Sequence, residues 1–279
     1  MALNPTALFA ADVVTESLAN RFLVTIGHPV RDFAPGELAP AGLHWCVAPE
    51  IIPADELEPD GIPQTGILPT LDLPRRMWAG GSVRILAPLR IGDRVERHSV
   101  VGDISRKSGR SGPLAFVRIA HRFSVAGELR LDEEQLIVYR AAAAPEDREH
   151  PPSNPISTDP AGRVLRRVRT DPAMLFRFSA LTFNAHRIHY DRPYTTAVEG
   201  HPDILVHGTL TAALLFDAAA PRLAPVGPRH ITFRALRPVP CGTTLVLCET
   251  GSGRLEAHDG RAAAMTAETA SAEAGHPAP

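Results

Sequence analysis

The densest group of side chains able to move protons runs Phe178-Ser-Ala-Leu-Thr-Phe-Asn-Ala-His-Arg-Ile-His-Tyr-Asp-Arg-Pro-Tyr194, with Ile204-Leu-Val-His-Gly-Thr-Leu210 close behind. A helix reaching Leu181 would end in a loop that carries Asn184, His186, Arg187, His189 and Asp191. The apolar stretch after it ends at His207-Gly208, where a new helix starts. Gly208 in that place allows close backbone approach, and the free amides of a first helical turn can hold a carbonyl oxygen as negative charge develops on it. The chemistry open to such a set is proton transfer beside an oxyanion site.

Each residue also has a plainer use. His186 and His189 could be two metal ligands, but no third ligand follows at a defined spacing, and no metal site is assigned. Both could instead be structural, each hydrogen-bonded within the loop. His207 could close the strand end through a backbone bond, and Asp191 is placed to cap the turn at Arg192-Pro193. Glu199 is either a surface carboxylate or a catalytic one. Arg75 and Arg76 could grip an anionic group or form a solvated pair, as could Lys107 and Arg110. Trp45 and Trp78 read as core or pocket wall.

The elements that must hold these residues follow from composition and pattern. With 279 residues, 44% hydrophobic and 22% charged, the chain suffices for one large domain or two small ones. Lys and Arg total 29 against 31 Asp and Glu, so no global field exists to bind nucleic acid or an anionic membrane. No apolar run approaches the roughly 20 residues that cross a bilayer, and the acidic N-terminus is unlike a signal peptide, so the expected location is cytoplasmic. Three cysteines without a C-x-x-C pair indicate neither a disulfide framework nor a cysteine zinc site.

Frequent proline and glycine favour short strands joined by turns. Residues Thr6 to Asn20 read as a helix with Thr6 as N-cap, and Leu43 to Pro74 as loop with a helical turn near Trp45. Strands are expected at 82–86, 94–105, 114–125 and 129–139, clearest in the interleaved Val117, Ile119, His121 and Phe123, and they form an antiparallel meander. Residues 141–162 read as a linker between an N-terminal unit, 1–140, and a C-terminal unit, 163–279, whose last residues should fray. In the second unit a helix is expected at 211–220 and strands at 230–236, 244–250, 254–258 and 261–270. An offset of 150 lays Pro88, Gly92 and Val95 over Pro238, Gly242 and Leu245, so the units read as two copies of one helix-plus-sheet element.

The loop from Leu181 to Tyr194 resembles the signature of MaoC-like hydratases and dehydratases, G-D-x-N-P-x-H followed by an apolar strand end, H-G and a helix. Together with Pro74-Arg-Arg-Met-Trp-Ala-Gly-Gly81 and Lys107-Ser-Gly-Arg-Ser-Gly-Pro-Leu114, it is similar to the type 2 hydroxyacyl-thioester dehydratases and the mesaconyl- and itaconyl-CoA hydratases grouped with them. The resemblance spans roughly residues 6 to 271. It implies an α+β double hotdog, two central helices wrapped by a continuous antiparallel sheet. It puts the catalytic histidine on His189 and the family's aspartate on Asn184, an amide that cannot exchange a proton, so that His189 must act as both base and acid while Asn184 orients water.

On this reading the Gly208 amide polarises a thioester carbonyl, and Arg187, His186, His207, Arg75, Arg76 and Trp78 meet the substrate. Arg187 is the first choice for a substrate carboxylate, since it sits two residues before His189. The expected reaction is hydration of a short branched dicarboxylic enoyl-CoA. No redox or metal cofactor is needed, coenzyme A entering only as part of the substrate, and association into a homodimer is compatible with the resemblance. Rival readings are a dehydratase of fatty-acid type, a non-catalytic acyl-thioester-binding module, and a thioesterase, for whose water-activating carboxylate the loop offers only Asp191 or Glu199.

Overall fold

Period-two alternation builds the first half of the sheet. Strands β3 (Arg94–Gly109), β4 (Gly112–Val125) and β5 (Glu128–Arg140) form the meander, with Val117, Ile119, His121 and Phe123 of β4 buried. Strand β1 (Ala7–Val13) pairs with β3, and β2 (Arg75–Ile85) with the far side of β5. The second half supplies β6 (Arg163–Arg169), β7 (Arg229–Ala235), β8 (Thr244–Gly251), β9 (Arg254–His258) and β10 (Ala263–Ser271). This computed structural model describes residues 6–109, 112–142, 160–222, 229–251 and 253–271. Most of the expected linker, Arg110 and the tail beyond residue 271 lie outside them.

All these strands join one ten-stranded antiparallel sheet in the order β1-β3-β4-β5-β2-β7-β10-β9-β8-β6. Read inward from either edge, each half follows the same sequence of first, third, fourth, fifth and second strand, which is the duplication that the offset of Pro88 and Pro238 implied. The halves meet where β2 pairs with β7, from Gly80 opposite Arg234 to Ile85 opposite Arg229. Glycine is required on both sides of β2: a Cβ on Gly80 would lie 2.3 Å from the Phe233 carbonyl oxygen of β7, and one on Gly81 2.1 Å from that of Glu134 in β5.

Among the described residues there are four α-helices. Thr15 caps α1 (Glu16–Thr25) by accepting from the Leu18 amide at 3.0 Å, and Asp171 caps α2 (Pro172–Thr182), which packs on α1, through Met174 at 2.8 Å. Asp191 caps the short α3 (Arg192–Ala197). Helix α4 (Gly208–Ala219) is apolar on all sides because it is enclosed, with Leu210, Ala212, Ala213, Leu214 and Leu215 fully buried against strands of the second half and β2. The halves supply this layer unequally: near α4 the first half offers a buried 3-10 turn, Leu43–Cys46, entered through Gly42, which approaches Ala213.

The helix expected over Thr6 to Asn20 is instead strand β1 followed by α1, whose cap is Thr15 and not Thr6. Phe9 and Val13 of β1 point outward and stay exposed, which hides the period of two and mimics helical spacing with Leu8. Strand β6 carries no alternation that would predict it, since Val168 is its one buried residue among four arginines. Because the seam strand β7 and the floor of α4 both depend on β2, a fragment covering 163–279 is expected to aggregate or show no cooperative thermal transition, as followed by circular dichroism. A soluble fragment melting like the whole chain would contradict this dependence.

Candidate active site

Helix α2 ends at Phe183, whose left-handed backbone (φ 52) turns the chain, and the Asn184 amide bonds back to Ser179 at 2.9 Å. Asn184 Oδ1 accepts from the His186 amide at 3.0 Å, an Asx turn that leads into the 3-10 turn Arg187–His189. His189 Nδ1 lies 2.8 Å from the Leu205 carbonyl. A carbonyl only accepts, so Nδ1 carries the proton and Nε2 is left as a free base. The His207 ring stacks on His189 at 3.6 Å and 19°, its Nε2 2.9 Å from Ser179 Oγ, while His186 stands edge-on to His189 at 5.7 Å. Helix α4 begins one residue after His207, so its unpaired first-turn amides open beside this stack.

His189, His186, His207, Asn184, Gly208 and Trp78 all line one cavity of about 980 Å³. Gly208 is required, but by a neighbour: a Cβ there would come within 2.6 Å of Trp78 Cε3, so the indole, delivered by β2, covers the start of α4. Burial holds the His189 pKa down at about 4, against a smaller opposing effect of the Leu205 carbonyl. Burial, then the neighbouring imidazoles, puts His186 and His207 well below the ordinary range. All three rings are therefore neutral at pH 7. His186 Nε2, His207 Nδ1, Trp78 Nε1 and Arg76 Nε are buried without a partner, and all four residues line the cavity. Among the described residues no group of three His, Cys, Asp or Glu side chains is arranged to hold a metal ion.

The structure does not bring every expected residue to the cavity. Arg187 turns away: its Nε and Nη2 donate to Asp191 Oδ2 at 3.0 and 2.7 Å, its Nη1 donates to the Pro59 carbonyl at 2.9 Å, and it covers the Tyr194 ring. Its first-choice place at a substrate carboxylate is therefore corrected, because its donors already clamp the loop. Arg75 is likewise committed, to a buried Glu199 at 3.1 Å, so Glu199 is neither a surface group nor a cavity base. Arg76 does line the cavity, paired with Asp60 at 3.3 Å and close enough to His186 to lower its pKa. Sequence gives no role to Asp60 or to Ser179, whose Oγ meets His207. Asp60 gave only a turn signal, though its carbonyl also accepts from the Arg187 amide, and the adjacent Gly61 touches Ala185 so closely that a Cβ would fall 1.9 Å from the carbonyl oxygen.

Residues 42–241 match the hydroxyacyl-thioester dehydratase type 2 family. The chain belongs to this family. It is 47% identical over 178 residues to the mesaconyl-C(4)-CoA hydratase of Chloroflexus aurantiacus, covering 63% of this chain and 62% of that one. The mitochondrial type 2 dehydratase of Schizosaccharomyces pombe is 33% identical over 87 residues, 30% of this chain and 29% of that one. The chain thus aligns with less than two thirds of the length of these relatives. Among solved structures, HtdX of Mycobacterium tuberculosis superposes with a TM-score of 0.66 at 14% identity, over 94% of this chain and 98% of that one. A second protein from that organism, described as a double hotdog, gives 0.55 at 18% identity, over 98% and 92%. The fold of this family member is the double hotdog.

Neutral burial of these rings has a measurable cost. Five imidazoles, His44 and His121 at about 3, His189 at about 4, and His186 and His207, are held below the 6.5 of a free histidine. Below pH 6.5 the unfolded chain takes up protons that the folded one refuses, so stability is full above that pH and falls as pH drops toward 4. The slope approaches about 1.4 kcal/mol per pH unit for each ring, opposed in part by Glu50 and Glu133, whose carboxyls burial pushes up. Urea unfolding at stepped pH should show this acid loss, and a stability flat from pH 7 to 4.5 would show that the rings titrate freely. A second expectation concerns α4: Gly208→Ala should lower kcat by roughly 10²-fold through the displaced Trp78 and helix start, measured on folded protein.

Proposed function

We propose that this chain reversibly adds water to an α,β-unsaturated acyl-CoA thioester, and that the acyl group is short, branched and dicarboxylic, as in mesaconyl-CoA or itaconyl-CoA. The observation that carries the proposal is the orientation of His189, whose proton is fixed on Nδ1 by Leu205 and whose basic Nε2 lines the cavity beside the first turn of α4. The similarity to a mesaconyl-C(4)-CoA hydratase supports the substrate class. In hydration, the thioester oxygen accepts from the Gly208 amide, and His189 Nε2 takes a proton from water as its oxygen bonds the β-carbon. The negative charge moves to the thioester oxygen, and the imidazolium then returns its proton to the α-carbon. Asn184, with Oδ1 committed to His186, keeps its NH2 free to donate to the attacking oxygen.

Catalysis then falls to residues 163–279 and acyl recognition to 1–140, in a cytoplasmic protein that needs no cofactor, binds no nucleic acid and can pair as a homodimer. The substrate carboxylate falls to Arg76, because Arg187 and Arg75 do not line the cavity, whereas Arg76, though paired with Asp60, lines it beside His186 and holds a buried Nε without a partner. The fatty-acid dehydratase reading has the family's name in its favour, and the same residues would run that reaction in reverse.

The test is a panel of enoyl-CoA thioesters followed by loss of the conjugated thioester absorbance, with products identified by mass. His189→Ala should lower turnover at least roughly 10²-fold with unchanged circular dichroism. Residual activity within a few-fold of the parent sinks the mechanism. Since the base works only when neutral and His189 stays neutral down to about 4, kcat/KM should be level from pH 8 to pH 6. An acid limb centred near the free-histidine value would reject that burial. Arg76→Met combined with Asp60→Asn, which strands no charge, should raise KM for mesaconyl-CoA at least roughly tenfold while crotonyl-CoA changes little, and equal losses on both would assign the pair to structure.

A further inference from the structure

The concave face of the first-half sheet ought to be apolar, and across three adjacent strands it is not. Inward positions carry Arg97 and Ser99 on β3, His121 on β4, and Glu133 and Gln135 on β5, with Ser99 opposite His121 and His121 opposite Glu133. Glu133 is buried and accepts from Trp45 Nε1 and Gln135 Nε2, both at 2.8 Å. His121 Nδ1 meets Ser99 Oγ at 2.8 Å. Arg97 faces Glu50 at 3.9 Å, too long for a hydrogen bond, with side chains only 13% and 20% exposed. Arg97, Glu50, His121 and Gln135 line the same cavity as His189 and Gly208.

A thioester held at Gly208 has two ways to lie. The nucleotide of coenzyme A is too large to bury, so it must leave toward solvent, where cavity-lining Phe183 and Tyr190 are exposed. The acyl chain then points at the buried wall of β3, β4 and β5. Resting on the hydratase reading, we propose that Arg97 and Glu50 form a polar stop that limits the length of acyl chain the cavity accepts. An alkyl chain reaching this pair would strip water from a guanidinium and a carboxylate and offer nothing in return, whereas a short chain ends before it. Stability does not explain the pair, since a loose buried ion pair contributes no more than apolar residues of equal volume. Nor does the wall suit a second carboxylate: Glu50 and Glu133 both already act on the one guanidinium of Arg97.

The stop is tested on the full chain by Arg97→Met with Glu50→Met, which removes both charges together, and by Arg97→Lys, which keeps them. The readouts are the ratio of kcat/KM for oct-2-enoyl-CoA to that for crotonyl-CoA, and the ratio of octanoyl-CoA to butyryl-CoA affinity by titration calorimetry. The double variant should raise both ratios roughly tenfold or more, the factor that apolar accommodation of added methylenes supplies, and Arg97→Lys should leave them near the parent values. Should the methionine pair fail to fold, Arg97→Gln with Glu50→Gln must produce the same shift. Unchanged ratios, or a parent that already prefers the eight-carbon chain, overturn the proposal. A parent that hydrates none of the panel overturns the hydratase reading, and the affinity ratio then decides on the stop alone.

Discussion

The Trp78 indole lying on the bare Cα of Gly208 is the contact on which the rest of the molecule turns. It joins a strand of the first half to the helix that opens the candidate site in the second. For the indole to arrive there, β2 must run between β5 and β7 at a separation that side chains forbid, and the Gly80-Gly81 pair meets that demand. For the helix to receive it, residue 208 must lack a side chain. The site is thus a property of the joined sheet, with the loop of Pro59 to Gly61 adding a second tie through Arg187 and Ala185.

What that enclosure achieves is electrostatic. Three imidazoles packed within a few ångströms, two of them stacked, would repel one another if charged, and desolvation outweighs every hydrogen bond that could hold a proton on them. Burial lowers the His189 pKa and so keeps the ring neutral, and the Leu205 carbonyl fixes its proton on Nδ1, which leaves Nε2 as the unprotonated nitrogen. The arginines around the loop are balanced pairwise, Arg187 by Asp191, Arg75 by Glu199 and Arg76 by Asp60, so the histidine cluster sits among charges that largely cancel.

The meander of β3 to β5 was legible because its inward and outward residues differ in kind, and α4 because an enclosed helix is apolar throughout. The edge strands were not: β1 carries outward Phe9 and Val13, and β6 is mostly arginine, so neither shows the contrast on which periodicity depends. His186, His189, His207 and Gly208 could be gathered from spacing alone, since they lie within 23 residues of chain. The fate of Arg75 could not, because Glu199 stands 124 residues away, and a one-dimensional reading has no means to pair them. His121 was visible in the inward phase of β4, yet its meaning depends on Arg97, Glu133 and Gln135 arriving beside it from other strands.

The seam between β2 and β7 also bears on how the molecule comes into being. Its partners, such as Gly81 and Phe233, are about 150 residues apart, whereas β3 to β5 and β8 to β10 connect neighbours in the chain. Loop-closure entropy makes such distant pairings form after local ones. During synthesis the meander of the first half can assemble while β7 is still unmade, leaving the inner edge of β2 waiting for a partner that any exposed strand could imitate. At Gly80 that waiting edge has no side chain, which is what lets the β7 backbone close in when it emerges.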